Sequence, residues 1–226
     1  PRVQDSARRA AYPDRNSDVN RYSKSLADKV PDGVLKLMAS LPRAHPPGST
    51  FLYNSGDTFL LGAALTRAVG KPLADYMSEK VWQPAGMECD AFYTLESDGG
   101  QEIGGSRAGM VLRDFGRFAE FVRNDGVIDG TRVLPQGWVE AAATPAFVVP
   151  APSVPDITHY GYSWWLGDGV MAALGHAGQR IDIFENAEEI GLLDHQRRDV
   201  LPFVRLQCRR VYAAAAAHVG HFLEAQ

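Results

Sequence analysis

Cysteine is almost missing from this chain: Cys89 and Cys208 are the only two in 226 residues. Thiols so few and so far apart exclude a disulfide framework and a cysteine-based zinc pattern, and both are expected to be free. Lysine is also scarce, with five in all (Lys24, Lys29, Lys36, Lys71 and Lys80) and none beyond position 80. With 23 basic against 27 acidic residues the formal charge is -4, so no net positive field draws the chain to nucleic acid or anionic lipid. Neither is expected as a partner. No apolar run approaches the roughly 18 to 20 residues needed to cross a bilayer, and the first residues, PRVQDSARRAAYPDRNSD, are polar without a signal-peptide core. Because the chain starts at Pro1 and not at a methionine, removal of an upstream segment is an expectation; compartment and oligomeric state stay open.

What is present is an ordinary globular composition, 45% hydrophobic and 22% charged, in a chain long enough to bury a substantial core. Residues 1–30 carry many charges and little periodicity and read as irregular, with a helical turn at Ser25 to Val30. Val34, Leu35, Leu37 and Met38 give Asp32 to Leu41 the apolar side of a short helix. HPPGST, His45 to Thr50, forces extended, turn-rich backbone. From Asp57 to Val69 the residues Leu61, Leu65 and Ala68 recur at helical spacing, with Leu60 and Ala64 alongside, and Gly70 supplies the stop. Pro72 opens a second helix through Trp82. Val111, Phe115, Phe118 and Val122 mark a further helix to Arg123.

Asp129-Gly130 predicts a tight β-hairpin between Val127-Ile128 and Arg132-Val133-Leu134. A short helix from Pro135 to Thr144 and a proline-rich surface loop from Pro145 to Pro155 follow. YGYSWWLGDGVMAAL reads as two strands around Asp168-Gly169, and Ile181 to Phe184 as another. Val204, Cys208, Val211, Ala215 and Val219 form a helical stripe in the tail. Helices in the middle and strands late predict an α/β (α+β) fold, an antiparallel sheet flanked by helices. The whole of 1–226 is expected to be one domain: an irregular or helical 1–50, a mainly helical 51–145, and strands with a closing helix over 156–226.

One stretch raises a chemical question. In YNSGDTFLLGAALTRAVGKP, Tyr53 and two small polar residues stand directly before the helix. The structural reading is that Tyr53 packs its ring on the helix while Ser55 or Asp57 caps it. The catalytic reading needs more, because a phenol with a pKa of about 10 becomes a useful base only beside a cation in a desolvated pocket.

The wider phrase YNSGDTFLLGAALTRAVGKPLADYMSEKVWQPAGMECDA resembles the middle of the serine β-lactamase and DD-peptidase superfamily. The likeness continues through GGSRAGMVLRDFGRFAEFVRNDGVIDGTRVLPQGWV, YGYSWWLGDG and ALGHAGQRIDIF. It covers roughly residues 12–184 and is nearest to the branch of 6-aminohexanoate-dimer hydrolases and related esterases. The resemblance implies a nucleophilic serine in Ser-x-x-Lys, a tyrosine acting with that lysine as base, and a third motif on a strand beside the cleft. It makes Tyr53 the base and later the acid, and places Ser55 where an asparagine often stands. If Ala173 to His176 is the third motif, the His176 backbone N–H helps form an oxyanion hole, and Gly175 belongs to it. If His176-Ala177-Gly178-Gln179 is the matching register, the Gln179 N–H is the donor. The first is preferred. Trp164 and Trp165 alternate on a strand, so that one walls the pocket or both are structural. The implied substrate is a small amide or ester, with no cofactor.

No lysine here has a serine three residues before it, so Ser-x-x-Lys is absent, as is a literal Lys-Thr-Gly. The expected account is a chain that begins after the nucleophile, nearly inert alone, since losing such a serine costs about 10⁶ in kcat. A non-catalytic binding module of the same fold explains the absence equally well. A Ser-His-Asp hydrolase using Gly104 to Gly109 as its nucleophile elbow is disfavoured, because Ala108 stands where Gly-x-Ser-x-Gly needs glycine. His218 and His221 fall on adjacent turns of the tail and, lacking an acidic neighbour, are read as a helix face and not a metal site.

Overall fold

The computed structural model describes residues 14, 16–150, 154, 156–175, 179–184, 190–193 and 211–214. In chain order the elements are α1 (Asp18–Ala27), α2 (Gly33–Ser40), α3 (Ser55–Val69), α4 (Leu73–Met77), a π turn (Ser78–Trp82), β1 (Ala91–Thr94), β2 (Ala108–Gly109) and α5 (Leu112–Arg123). There follow β3 (Val127–Ile128), β4 (Thr131–Arg132), α6 (Trp138–Ala143), β5 (Phe147–Val148), β6 (Ile157–Tyr160), β7 (Trp165–Gly167), β8 (Val170–Leu174), β9 (Arg180–Phe184), β10 (Ile190–Leu193) and β11 (Val211–Ala214). The chain divides into two compact units. A helical unit comprises Gln4–Ser78, Ala91–Gly109 and Val211–Gln226, and a sheet unit comprises Pro1–Val3, Glu79–Asp90 and Met110–Arg210.

In the helical unit, Leu26 of α1, Val34 of α2, Phe59 of α3 and Ile103 form a buried cluster, with Tyr22, Leu35 and Met38 packed against it. α1 corrects the expectation of irregular backbone over the first 30 residues. Asp18 in its first turn and Lys24 in its last suit the helix dipole, and Lys24 pairs with Asp28 one turn on. α3 ends where Gly70 turns left-handed at φ 71°, a conformation that costs glycine nothing.

The buried face of α3 is not the leucine stripe. Gly56, Phe59, Gly62 and Ala63 face inward, while Leu60, Leu61 and Leu65 are exposed. The reason is close approach. A Cβ added at Gly62 would lie 3.1 Å from the Gly104 Cα, and one at Gly104 would lie 3.0 Å from the Gly62 Cα, so small residues let backbone seat on backbone where leucine would hold it off.

A carboxylate fixes the next helix. Glu102 is buried, and its Oε1 accepts from the Ala74 N–H at 2.9 Å while Oε2 accepts from Leu73. These are amides that the first turn of α4 leaves without helical partners. β1 pairs with β2 antiparallel and with β11 parallel. β11 overturns the tail helix at residues 211–214: the backbone there pairs with Ala91 to Thr94, and this ladder outweighs the local helix propensity of Ala213 and Ala214. The rest of the expected stripe, with Cys208, His218 and His221, lies outside the described residues.

The sheet unit is built on six antiparallel strands in the order β10-β9-β8-β7-β6-β5, so the expected fold class holds. β5 places a strand inside the segment expected as a proline-rich loop. The expected hairpin forms as β3-β4, with Asp129 at φ 45° and Gly130 at φ 77° in the primed turn that suits strand twist. Ile157, Val170 and Ala172 form the buried patch of this sheet, with Trp165 and Leu174 against it.

α5 packs on β9 and β10 and carries Asp114, which is wholly buried. Asp114 Oδ1 accepts from the Glu88 N–H at 2.7 Å and Oδ2 from the Cys89 N–H at 2.9 Å. Arg117 bridges Asp114 and Glu88, and Arg113 also reaches Glu88. Their guanidinium groups, Arg117 foremost, hold the Glu88 carboxyl below the usual range. Trp82 donates its Nε1–H to the Cys89 carbonyl at 2.9 Å on the same loop.

Candidate functional site

Tyr53 lies outside regular secondary structure, one residue before the cap of α3, and is half-buried. The cap is Asn54, neither Ser55 nor Asp57: its backbone is extended, and its side-chain oxygen accepts from the Gly56 N–H at 2.9 Å. Asn54 therefore meets an orphan amide of the first turn. Ser55 becomes the first helical residue, and Asp57 adds negative charge to the first turn. Between them these three residues hold Tyr53 outside the helix.

The Gly104-Gly105-Ser106-Arg107 loop lies against this start. A Cβ at Gly105 would stand 2.8 Å from the Ser55 carbonyl oxygen and 3.1 Å from the Thr58 Cβ, so glycine is required there. Arg107 has the left-handed φ of 63°, rare for a residue with a side chain. Ser106 sits in this loop with the two-residue β2 after it and α5 starting only at Leu112, which is not the strand–turn–helix setting of a nucleophile elbow. α2 reaches the same place, for a Cβ at Gly56 would meet the Met38 Sδ at 2.4 Å.

A cavity of about 300 Å³ in the helical unit is lined by Thr58, Leu61, Leu65, Tyr76, Met77 and Tyr93, among others, but not by Tyr53. Burial holds the Tyr93 phenol above its ordinary value, and the Glu102 carboxylate adds to the effect. The phenol stays a neutral hydrogen-bonding group.

The other predicted residues belong to the sheet unit. Gly175 and Gln179 are brought together at the mouth of the β8-β9 hairpin, where Leu174 pairs with Arg180. The Gly175 N–H donates to the Gln179 carbonyl at 2.7 Å, and a Cβ at Gly175 would meet Gln179 Oε1 at 2.5 Å. The Gly175 amide is thus engaged within the hairpin. His176 and Gly178 lie outside the described residues. Trp165 is half-buried, edge-on to Tyr160 with ring centroids 5.0 Å apart, and packs on the Ile157–Val170–Ala172 patch.

Beside this hairpin stands a group that sequence reasoning missed. Arg180 donates to both oxygens of Asp182 at 2.7 Å and to Asp156 at 2.9 Å. That pairing outweighs the burial of Arg180 and raises its pKa, and it lowers that of Asp156. The available signal was Arg-Ile-Asp on a strand, whose alternation puts both charges on one face. Among the described residues no group of three or more His, Cys, Asp or Glu side chains is arranged to hold a metal ion, and no helix is long and apolar enough to cross a membrane.

Residues 6–191 match the family described as Beta-lactamase. The chain belongs to the β-lactamase family. It is similar to the 6-aminohexanoate-dimer hydrolase of Paenarthrobacter ureafaciens, 28% identical over 137 residues that make up 58% of this chain and 34% of the relative. A solved structure described as "Putative 6-aminohexanoate-dimer hydrolase from Bacillus anthracis" superimposes with a TM-score of 0.60 at 26% identity, over 70% of this chain and 42% of that one. The chain thus spans well under half the length of both of these β-lactamase-family relatives. Both carry the name of a hydrolase.

Proposed function

We propose that this chain is part of a serine hydrolase that cleaves small amides or esters through an acyl-enzyme, with Tyr53 as its proton-transfer group. The observation that carries the reading is the start of α3, where Asn54 takes the cap and Tyr53 lies just outside the helix. In such a chemistry the phenol takes the proton of an attacking serine and returns it to the leaving group. Ser55 offers a short hydroxyl beside the reacting bond. By the family resemblance, the backbone N–H of His176, or in the other register that of Gln179, would serve as the oxyanion donor. The serine and lysine must come from polypeptide other than these 226 residues, which hold no Ser-x-x-Lys.

That absence also favours a second reading, a binding module that keeps the fold without the nucleophile. One experiment separates them. The genomic DNA preceding the Pro1 codon is read for an in-frame Ser-x-x-Lys, and the longer product is assayed on a chromogenic short-chain ester with and without Tyr53→Phe. The hydrolase reading expects the motif, and a loss of about 10² to 10⁴ in kcat for the variant, the usual worth of a general base. Full activity of Tyr53→Phe would refute the role of the phenol, and absence of the motif would favour the binding module.

A further inference from the structure

Away from Tyr53, the helical unit holds a second buried ionisable group that the proposed chemistry does not use. Glu96 is 1% exposed. Its Oε1 accepts from the Asp32 N–H at 3.1 Å, at the start of α2, and its Oε2 is buried and finds no hydrogen-bond partner among the described residues. Other buried hydroxyl oxygens without partners come from the elements around it: Ser25 and Tyr22 of α1, and Thr94 at the end of β1. Ser25 converges on the same turn, since a Cβ at Gly33 would lie 2.1 Å from its Oγ.

We propose that Glu96 is a proton-operated latch on the corner between α1 and α2, closed when its carboxyl is protonated and opened when it ionises. As a neutral acid it accepts from the Asp32 amide through one oxygen and carries its proton on the other. Ionised, it becomes a buried charge without a countercharge among its bonds, a state that folded proteins relieve by opening or by taking the proton back.

The groups that face it fix the direction. Burial acts first and raises the Glu96 pKa, and the Asp32 carboxylate adds to this, while the amides of Val34, Asp32 and Gln101 pull it down. The net shift is upward. Tyr22, itself raised by burial, faces Ser106, Arg107 and Glu96, and the nearby Lys29–Asp98 pair is exposed and 3.6 Å apart. The folded chain therefore keeps a proton that the unfolded chain has lost. The stabilisation is complete below the ordinary glutamate value and disappears as pH rises through the folded one.

The latch has an outlet. α2 packs Met38 on Gly56 in the first turn of α3, and Val34 shares a buried cluster with Phe59, so release of α2 loosens the residues that hold Tyr53. The latch itself does not depend on Tyr53 doing chemistry.

The test uses the full chain. The side-chain carboxyl of Glu96 is followed by carbon-13 NMR from pH 4 to 9, and amide exchange of α1 and α2 is expressed as protection factors over the same range. The expected result is a Glu96 midpoint above that of ordinary glutamate, with protection falling by about tenfold per pH unit between the ordinary glutamate value and that midpoint and levelling off above it. Glu96→Gln, which keeps the acceptor and cannot ionise, is expected to hold protection constant. If Glu96→Gln does not fold, the midpoint in the parent chain still decides. An ordinary glutamate midpoint, or pH-independent protection in the parent, overturns the proposal, and neither outcome depends on whether Tyr53→Phe affects catalysis.

Discussion

Replacing Asp114 with alanine removes the α5 carboxylate that accepts from the backbone amides of Glu88 and Cys89. It is wholly buried and accepts from two backbone amides at 2.7 and 2.9 Å. Hydrogen bonds to a charged group contribute about 1.5 to 3 kcal/mol each, so the pair is expected to contribute about 3 to 6 kcal/mol. Arg117 keeps a partner in Glu88 at 2.8 Å, so the loss of its 3.1 Å contact with Asp114 adds little. About 4 kcal/mol is therefore the expected cost, a large share of the roughly 5 to 15 kcal/mol that holds an ordinary domain together. Asp114→Asn retains one acceptor oxygen and is expected to lose about half as much. Urea unfolding followed by tryptophan emission is the appropriate assay, because Trp82, Trp138, Trp164 and Trp165 all belong to the sheet unit. With a slope of about 2 kcal/mol per molar urea, the alanine midpoint should fall by about 2 M, and exchange of the Glu88 and Cys89 amides should accelerate. A midpoint within about 0.25 M of the parent would refute the reasoning.

Three further outcomes are expected. Asn54→Ala should cost about 1 kcal/mol of stability in the helical unit, while Ser55→Ala and Asp57→Ala cost less, measured by thermal melts followed by circular dichroism. Gly105→Ala should cost more than Gly99→Ala, because only the former sets a methyl against the Ser55 carbonyl. Gly99 has open space, though its left-handed φ of 68° still carries strain. Glu88, held below the usual carboxylate range by Arg117 and Arg113, contributes stability that is present above the ordinary glutamate pKa and lost as pH falls through the lowered folded value. Acid titration of Glu88→Gln by tryptophan emission should show a weaker loss than the parent.

The legible parts of this chain were those written in local chemistry. The β3-β4 hairpin followed from Asp129-Gly130, β7 and β8 from the turn at Asp168-Gly169, and the end of α3 from Gly70. The buried face of α3 was not legible from its leucines. Leu61 and Leu65 dominate the pattern, yet Gly62 meeting Gly104 decides which side the helix presents inward. The strand at residues 211–214 was not legible, because the apolar spacing from Val204 to Val219 suggests a helix until the pairing with β1 is known. β1 and β2 carry too few residues for alternation to show. At the candidate site, Tyr53 and its place before a helix were readable, whereas Asn54 as the cap was not separable from Ser55 without backbone geometry. Arg180 and Asp182 share a strand face, but their pairing with Asp156 joins residues far apart in sequence. Glu96 and Glu102 carry no sequence signal at all, because what matters is which amides they meet.

The central claim is tested most directly by intact-mass spectrometry of the purified 226-residue chain after incubation with a chromogenic cephalosporin and a chromogenic short-chain ester, with product absorbance read in parallel. The proposed reading predicts an unmodified mass and no turnover beyond that of the Tyr53→Phe chain, because Ser-x-x-Lys does not occur in these residues. A stoichiometric acyl adduct on this chain, with steady turnover that Tyr53→Phe abolishes, would contradict it.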